Sequence, residues 1–481
     1  MRLQTKFKGY ITVFLSLSIM IILSLVLALF QGARIGAVRM KTECVMDIAM
    51  NSVLAEYSRE LYEQYGLLLV DTSYGTGIPS IGNMEDHFRD YAEKNFERST
   101  AGGILNAQTM TAMYCKGARV IGYSVATDNN GAVLNRQILE YMAGEPVGGI
   151  INNVLGNATS LQDGGLDTTD VDALAAENQG IIDSTELPVV EKEKGKKEVI
   201  SIGNPADVVN SQRGIGALNL AIKDKSCISE NVCNLSEYAS HRELNKGTGL
   251  DDKFDPSTAQ KLLLDEYYFE KCSRYGGELE KSLLKYQLEY LAFGQNSDYG
   301  NLEKMAETLL FWRQAANMIY LFGCQEKVSE AEAIATALSV ILFVPELADP
   351  IKYSILFAWT FAESISDLHV LFSGGRVPLF KTDETWKLSL LNMFSFRDHM
   401  DESGNNEGLL YEDYLRIKLF LTSYEEKTKR MMDVIEMDVR GTEGNFGFRL
   451  DYCVDVFAGR LEVGTKYGYE AEIKRVYGYE R

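Results

Sequence analysis

Hydrophobic and polar positions alternate with three different rhythms along this chain. Residues 10–30, YITVFLSLSIMIILSLVLALF, carry no charge over 21 positions. At about 1.5 Å per residue such a helix is ~31 Å long, the thickness of a hydrocarbon core. Serines 16, 18 and 24 within it can bond back to the helix's own carbonyls. Arg2, Lys6 and Lys8 precede the run, and Arg34, Arg39 and Lys41 follow it. Beyond it, Ile35, Val38, Val45, Ile48 and Ala49 fall on one helical face, and Gly66 is the first convincing stop, so one long helix is predicted to about residue 65.

Helical spacing dominates again from about 205 to 440. Asp255-Pro256 opens a helix in the stretch 255–293, and amphipathic helices are predicted at 301–322 and 411–439. The apolar zone 333–344 is too short to span a membrane, ends at Pro345, and reads as a buried core helix. Strand periodicity appears in VIGYSV, 120–125, which ends at the turn DNNG, and again at the end of the chain. There Leu450, Tyr452, Val454 and Val456 alternate with polar residues, and Tyr467, Tyr469, Ala471 and Ile473 share one face. These C-terminal strands are predicted to pair with strands near 105–125. Weak periodicity over 156–204 reads as a linker or surface insertion.

The predicted fold class is α+β, dominated by helix, with a small antiparallel sheet. The segments are a basic cytoplasmic leader (1–9), a transmembrane helix (10–30), a helical stalk and mixed region (31–155), the insertion (156–204), a helical domain (205–440) and C-terminal strands (441–481). The span is followed by no small-x-small cleavage site and is read as an uncleaved anchor. The short basic tail is hard to translocate, and the chain turns acidic at Glu43 and Asp47, so the N-terminus is placed inside and the body outside.

Charge and chemistry narrow the function. A formal net charge of −20 repels phosphate backbones and excludes nucleic acid as a partner. The four histidines, at 87, 241, 369 and 399, are scattered, no HExxH occurs, and the dinucleotide and P-loop patterns are absent. No metal, cofactor or catalytic residue is expected. Ser282 and Lys285 form an SxxK, but Lys381-Thr-Asp lacks the glycine that serine acyl-transfer enzymes need. The acidic run 401–408 lacks the order of a calcium loop. Of seven cysteines, Cys227 and Cys233 are the only close pair, either a small disulfide loop or two ordinary thiols. Gly32 and Gly36, four apart, mark either a close helix–helix approach or a kink.

The opening, KFKGYITVFLSLSIMIILSLVLALFQGARIGAVRM, resembles an uncharacterised family of membrane-anchored proteins from Gram-positive anaerobes, relatives of the TadE/TadG pseudopilins of Tad-type pilus systems. The resemblance returns in LEYLAFGQNSDYGNLEKM, FWRQAANMIYL, AWTFAESISDLHVLFSGGRVPLFK and LLYEDYLRIKLFL. It implies prepilin-type processing between Gly9 and Tyr10, although Phe14 stands where pilins carry Glu. The expectation is a non-enzymatic, membrane-anchored extracytoplasmic protein, a minor pseudopilin or scaffold that assembles with other pilus proteins. A surface adhesin or ligand-binding receptor is the alternative, and an unrecognised cell-envelope enzyme the third.

Overall fold

A computed structural model describes residues 8–97, 111–187, 189–192, 196–199, 204–250, 254–277, 282–400 and 407–479. The chain forms two compact units. Unit 1 is residues 1–141, 242–255 and 435–481; unit 2 is 142–241 and 256–434. Unit 1 is thus built from three separate stretches, which cut across the segments read from the sequence.

Unit 1 is a helix-backed antiparallel sheet. The helix Lys8–Leu54 is continuous. Ser16 and Ser24 donate their hydroxyls to the carbonyls of Val13 and Ile21, at 2.9 and 2.8 Å. A second helix, Arg59–Tyr65, follows a break. Ser58 caps its start, and Gly66 ends it with φ +70 and its N–H on the Tyr62 carbonyl. The stop was therefore placed correctly, but the rod is interrupted eleven residues before it, between Leu54 and Arg59.

The sheet has four strands: β1 (Val70–Asp71), β2 (Met113–Val125), β5 (Cys453–Thr465) and β6 (Glu470–Gly478). The long strand β5 is central. Its one edge pairs with β2 from Met113↔Thr465 to Val125↔Val454; its other edge takes β6 and the short β1. The predicted pairing of the chain's end with residues up to 125 is observed, while 105–110 lie outside the described residues. Val45, Met46, Ala49, Met50 and Val53 on the long helix, and Met84, Phe88 and Ala92 on the helix Ile81–Glu97, bury their side chains with Phe457 and Leu461 of the sheet. Burying a side chain of this size contributes roughly 1.5–3 kcal/mol against leaving it exposed.

Unit 2 is helical around Ala348–Phe372, a helix buried on all sides from Ser354 to Phe372. Ile351, Ile355, Trp359, Ala362 and Ile365 form the centre of its core, with Leu321, Ala331, Ala335 and Met393. This helix is long and apolar enough to cross a membrane, yet it is the wholly buried core element. The zone 333–344 is less buried than predicted. It ends the helix Gln325–Ile341, where Ala335 and Ser339 face inward but Val340, Ile341 and Phe343 are exposed.

Three further expectations are corrected. Residues 156–204 are not a linker: they include most of the helix Gly148–Asp163, the helix Val171–Ser184, and a ribbon of β3 (Val189–Lys192) and β4 (Lys196–Val199). Val154, Ala158 and Leu161, spaced by four and three, lie on one inward face, and Val171 and Ile182 are buried at the two ends of the next helix. The stretch 255–293 is two helices, Thr258–Lys271 and Gln287–Phe293. The first is capped by Ser257 rather than Asp255, through a reciprocal box with Gln260.

Candidate functional site

A cavity of about 430 Å³ opens in unit 2 between the ends of three elements. The turn after Lys271 supplies Arg274, Tyr275 and Gly276. The last turn of the central helix supplies Leu371 and Phe372. The first turn of the helix Tyr411–Leu421 supplies Tyr411 and Glu412, and Cys227 lies at the lip. Its aromatic wall is a packed trio, with Tyr275 edge-on to Phe372 at 5.5 Å and to Tyr411 at 5.7 Å between ring centres. Arg274 and Glu412 form an ion pair at 2.5 Å, each about one-third exposed.

Beneath this wall lies Glu289, wholly buried in the helix Gln287–Phe293. One carboxyl oxygen accepts from the Tyr411 hydroxyl at 2.7 Å and from the Tyr275 N–H at 3.0 Å. Burial pushes this carboxyl up to about 7; the two hydrogen bonds oppose that, and the buried Asp298 carboxyl adds to it. The site thus couples a proton-holding acid to a cavity wall through one phenol.

A second cluster joins four buried charges. Arg313 donates to Asp367 at 3.0 Å and to the carbonyls of Pro378 and Leu379 at 2.8 Å. Lys381 lies 2.6 Å from both Glu363 and Asp367, and Glu363 also accepts the N–H groups of Lys387 and Leu388. Asn317 donates to Ser364 and Asp367, each at 3.0 Å. Burial would raise the Asp367 carboxyl, but Lys381 and Arg313 outweigh it and hold it below its ordinary value. Two cations against two carboxylates leave no net buried charge, and the donors fasten the irregular chain 377–388 to two helices. This arrangement is a structural clamp.

The sequence-predicted residues are not gathered into one site. Gly9 and Tyr10 lie in the first turns of the long helix, Tyr10 fully in the open at 81% exposure. A side chain at Gly32 or Gly36 would meet nothing within 4 Å. No disulfide joins Cys227 and Cys233: Cys227 is exposed, with its sulfur 3.0 Å from the Asp224 carbonyl, and Cys233 is buried. Ser282 is not on a helix; its hydroxyl donates to the Leu284 carbonyl and accepts from Gln287, both at 2.7 Å. Among the described residues no group of three or more His, Cys, Asp or Glu side chains is placed to hold a metal. Residues 401–406 lie outside the described residues.

Glu289, Tyr411 and the clamp were missed by a motif search because they are single residues far apart in sequence. One signal was present: Glu363 and Asp367 stand four apart on the otherwise apolar AWTFAESISDLHVLF. Residues that share a buried helical face and carry charge require partners.

Residues 192–465 match the model of a family of unknown function, DUF5702, and make up more than half of the chain. The chain belongs to that family. The DUF5702 region holds the cavity residues, Glu289, the whole clamp and strand β5, whereas the long N-terminal helix, β1, β2 and β6 lie outside it. No curated protein matches the chain, and no solved structure does.

Proposed function

We propose that this DUF5702 protein is a non-enzymatic, membrane-anchored extracytoplasmic scaffold, a minor pseudopilin of a Tad-like pilus apparatus. One observation carries the reading: a single helix has two halves of opposite burial. Its window of mean hydropathy 2.9 has no residue buried, and from Tyr10 to Phe30 every residue but Ser18 is exposed. Its second half, from Val38 to Leu54, is fixed into the core of unit 1. A free apolar half is costly in water and is matched by lipid or by other apolar helices. Rigid continuity into a folded unit transmits the position of that half to the body, which is what an assembled subunit requires.

The open faces at Gly32 and Gly36 are the proposed contact with neighbouring helices. A photo-crosslinking residue placed at Gly32 in cells tests this. Adducts with other membrane-anchored, pseudopilin-like subunits are expected; adducts with lipid alone would overturn the assembly role.

The cavity at Tyr275, Phe372 and Tyr411 favours a second reading, a ligand-binding receptor. Its volume lies in the range of small-molecule sites, and it has both an apolar wall and an ion pair at the mouth. Saturable binding of a soluble wall fragment by unit 2, lost in Tyr411→Ala, would favour the receptor over the scaffold.

A further inference from the structure

The boundary between the free and the packed parts of the long helix is sharp. Gln31, Gly32 and Ala33 are exposed, and Arg34 is the first residue beyond Phe30 to be covered. What covers it is the turn between β5 and β6. The Arg34 guanidinium lies over the Tyr467 ring, 3.2 Å from its centre. One turn further along, Arg39 donates to the Tyr469 hydroxyl at 3.2 Å. Lys466 and Tyr467 are both exposed, Tyr467 at 54%.

The position of this turn along the helix fixes its depth. Four residues separate Phe30 from Arg34, a rise of about 6 Å. The headgroup layers add about 5–8 Å on each side of a hydrocarbon core. If residues 10–30 fill the core, the turn lies within the headgroups. Its chemistry suits that layer: Tyr rings seat an apolar face inward and a hydroxyl outward, and Arg and Lys side chains bond phosphate oxygens. The chain is acidic overall, at −20, yet Arg34 and the exposed Lys466 stand at this level. Of the carboxylates on these elements, Glu470 lies 2.6 Å from Lys116 and Glu43 3.9 Å from Arg475.

We propose that the turn Lys466–Tyr469, with Arg34, is a docking collar that seats unit 1 on lipid headgroup phosphates. The inference rests on the reading of residues 10–30 as a membrane span. The collar fixes the orientation of unit 1 to the membrane plane by holding it at a second point beside the helix.

The test uses the full chain reconstituted into vesicles of phosphatidylcholine and phosphatidylglycerol, with lipids brominated near the headgroup as quenchers for position 467 and lipids brominated near the bilayer midplane as quenchers for position 20. Two variants are compared, Tyr467→Trp and Met20→Trp. The native Trp312, Trp359 and Trp386 are buried in unit 2, so the parent protein's emission is subtracted as background. The added indole is expected to lose about half or more of its emission in both variants, and Arg34→Gln with Lys466→Gln is expected to weaken the quenching at 467 alone. Quenching at 20 without quenching at 467 overturns the collar and leaves the span standing. Quenching at neither position overturns the span, and the collar with it.

Discussion

Glu289 shows how a single buried carboxyl makes stability depend on pH. Its folded value is raised from 4.5 to about 7. The folded protein therefore holds a proton that the unfolded chain releases. The stabilisation is fully present below about pH 4.5 and is lost as pH rises through 7, by about 3 kcal/mol at most. Glu289→Gln keeps the acceptor for Tyr411 but removes the titration. In urea unfolding followed by Trp emission, the variant is expected to gain stability relative to the parent between pH 4.5 and 7; parallel profiles would contradict this assignment. The clamp makes a second residue-scale prediction. Lys381→Met leaves Glu363 and Asp367 buried with one cation fewer, and unit 2 is expected to lose about 3–5 kcal/mol in the same assay. These roles were hidden in the sequence because burial and partnership are properties of the fold. Only the Glu363–Asp367 spacing hinted at them.

At the scale of elements, periodicity was legible where one face of an element is buried and ambiguous where burial is partial. The β6 alternation was readable because Ile473 and Tyr477 pack inward between exposed neighbours. The helix Val171–Ser184 was not, since only its ends, Val171 and Ile182, are buried, which leaves a weak stripe. The zone 333–344 misled for the opposite reason: it is apolar on both faces, and one of them is open. The stop at Gly66 was legible. Gly66 holds a left-handed conformation, and a Cβ there would lie 2.5 Å from the Tyr141 ring. Gly66→Ala is expected to cost about 1–2 kcal/mol from backbone strain alone, and more from the contact. Faster proteolysis of unit 1, with unit 2 emission unchanged, is the expected observation.

At the scale of the molecule, the chain's two compact units have different relations to its sequence. Unit 2 lies between residues 142 and 434, whereas unit 1 closes only when the last 47 residues return to the first helix. Strand β5 is the return: it pairs with β2 across a sequence separation that runs from 352 residues at Met113↔Thr465 to 329 at Val125↔Val454. No local pattern could specify that partner, although the matching alternation of the two segments suggested it. Truncation before Cys453 removes β5 and β6 and is expected to release the packed half of the long helix, leaving a protease-sensitive unit 1 and a folded unit 2.

On the proposed reading, residues 10–30 anchor a body lying outside the membrane. Intact cells treated with a membrane-impermeant maleimide test it at Cys227, an exposed native thiol, with Cys227→Ser as the reference and alkaline extraction of the same membranes. Cys227 is expected to be labelled without lysis while the protein stays in the membrane fraction. Labelling only after lysis, or release into the soluble fraction, would contradict it.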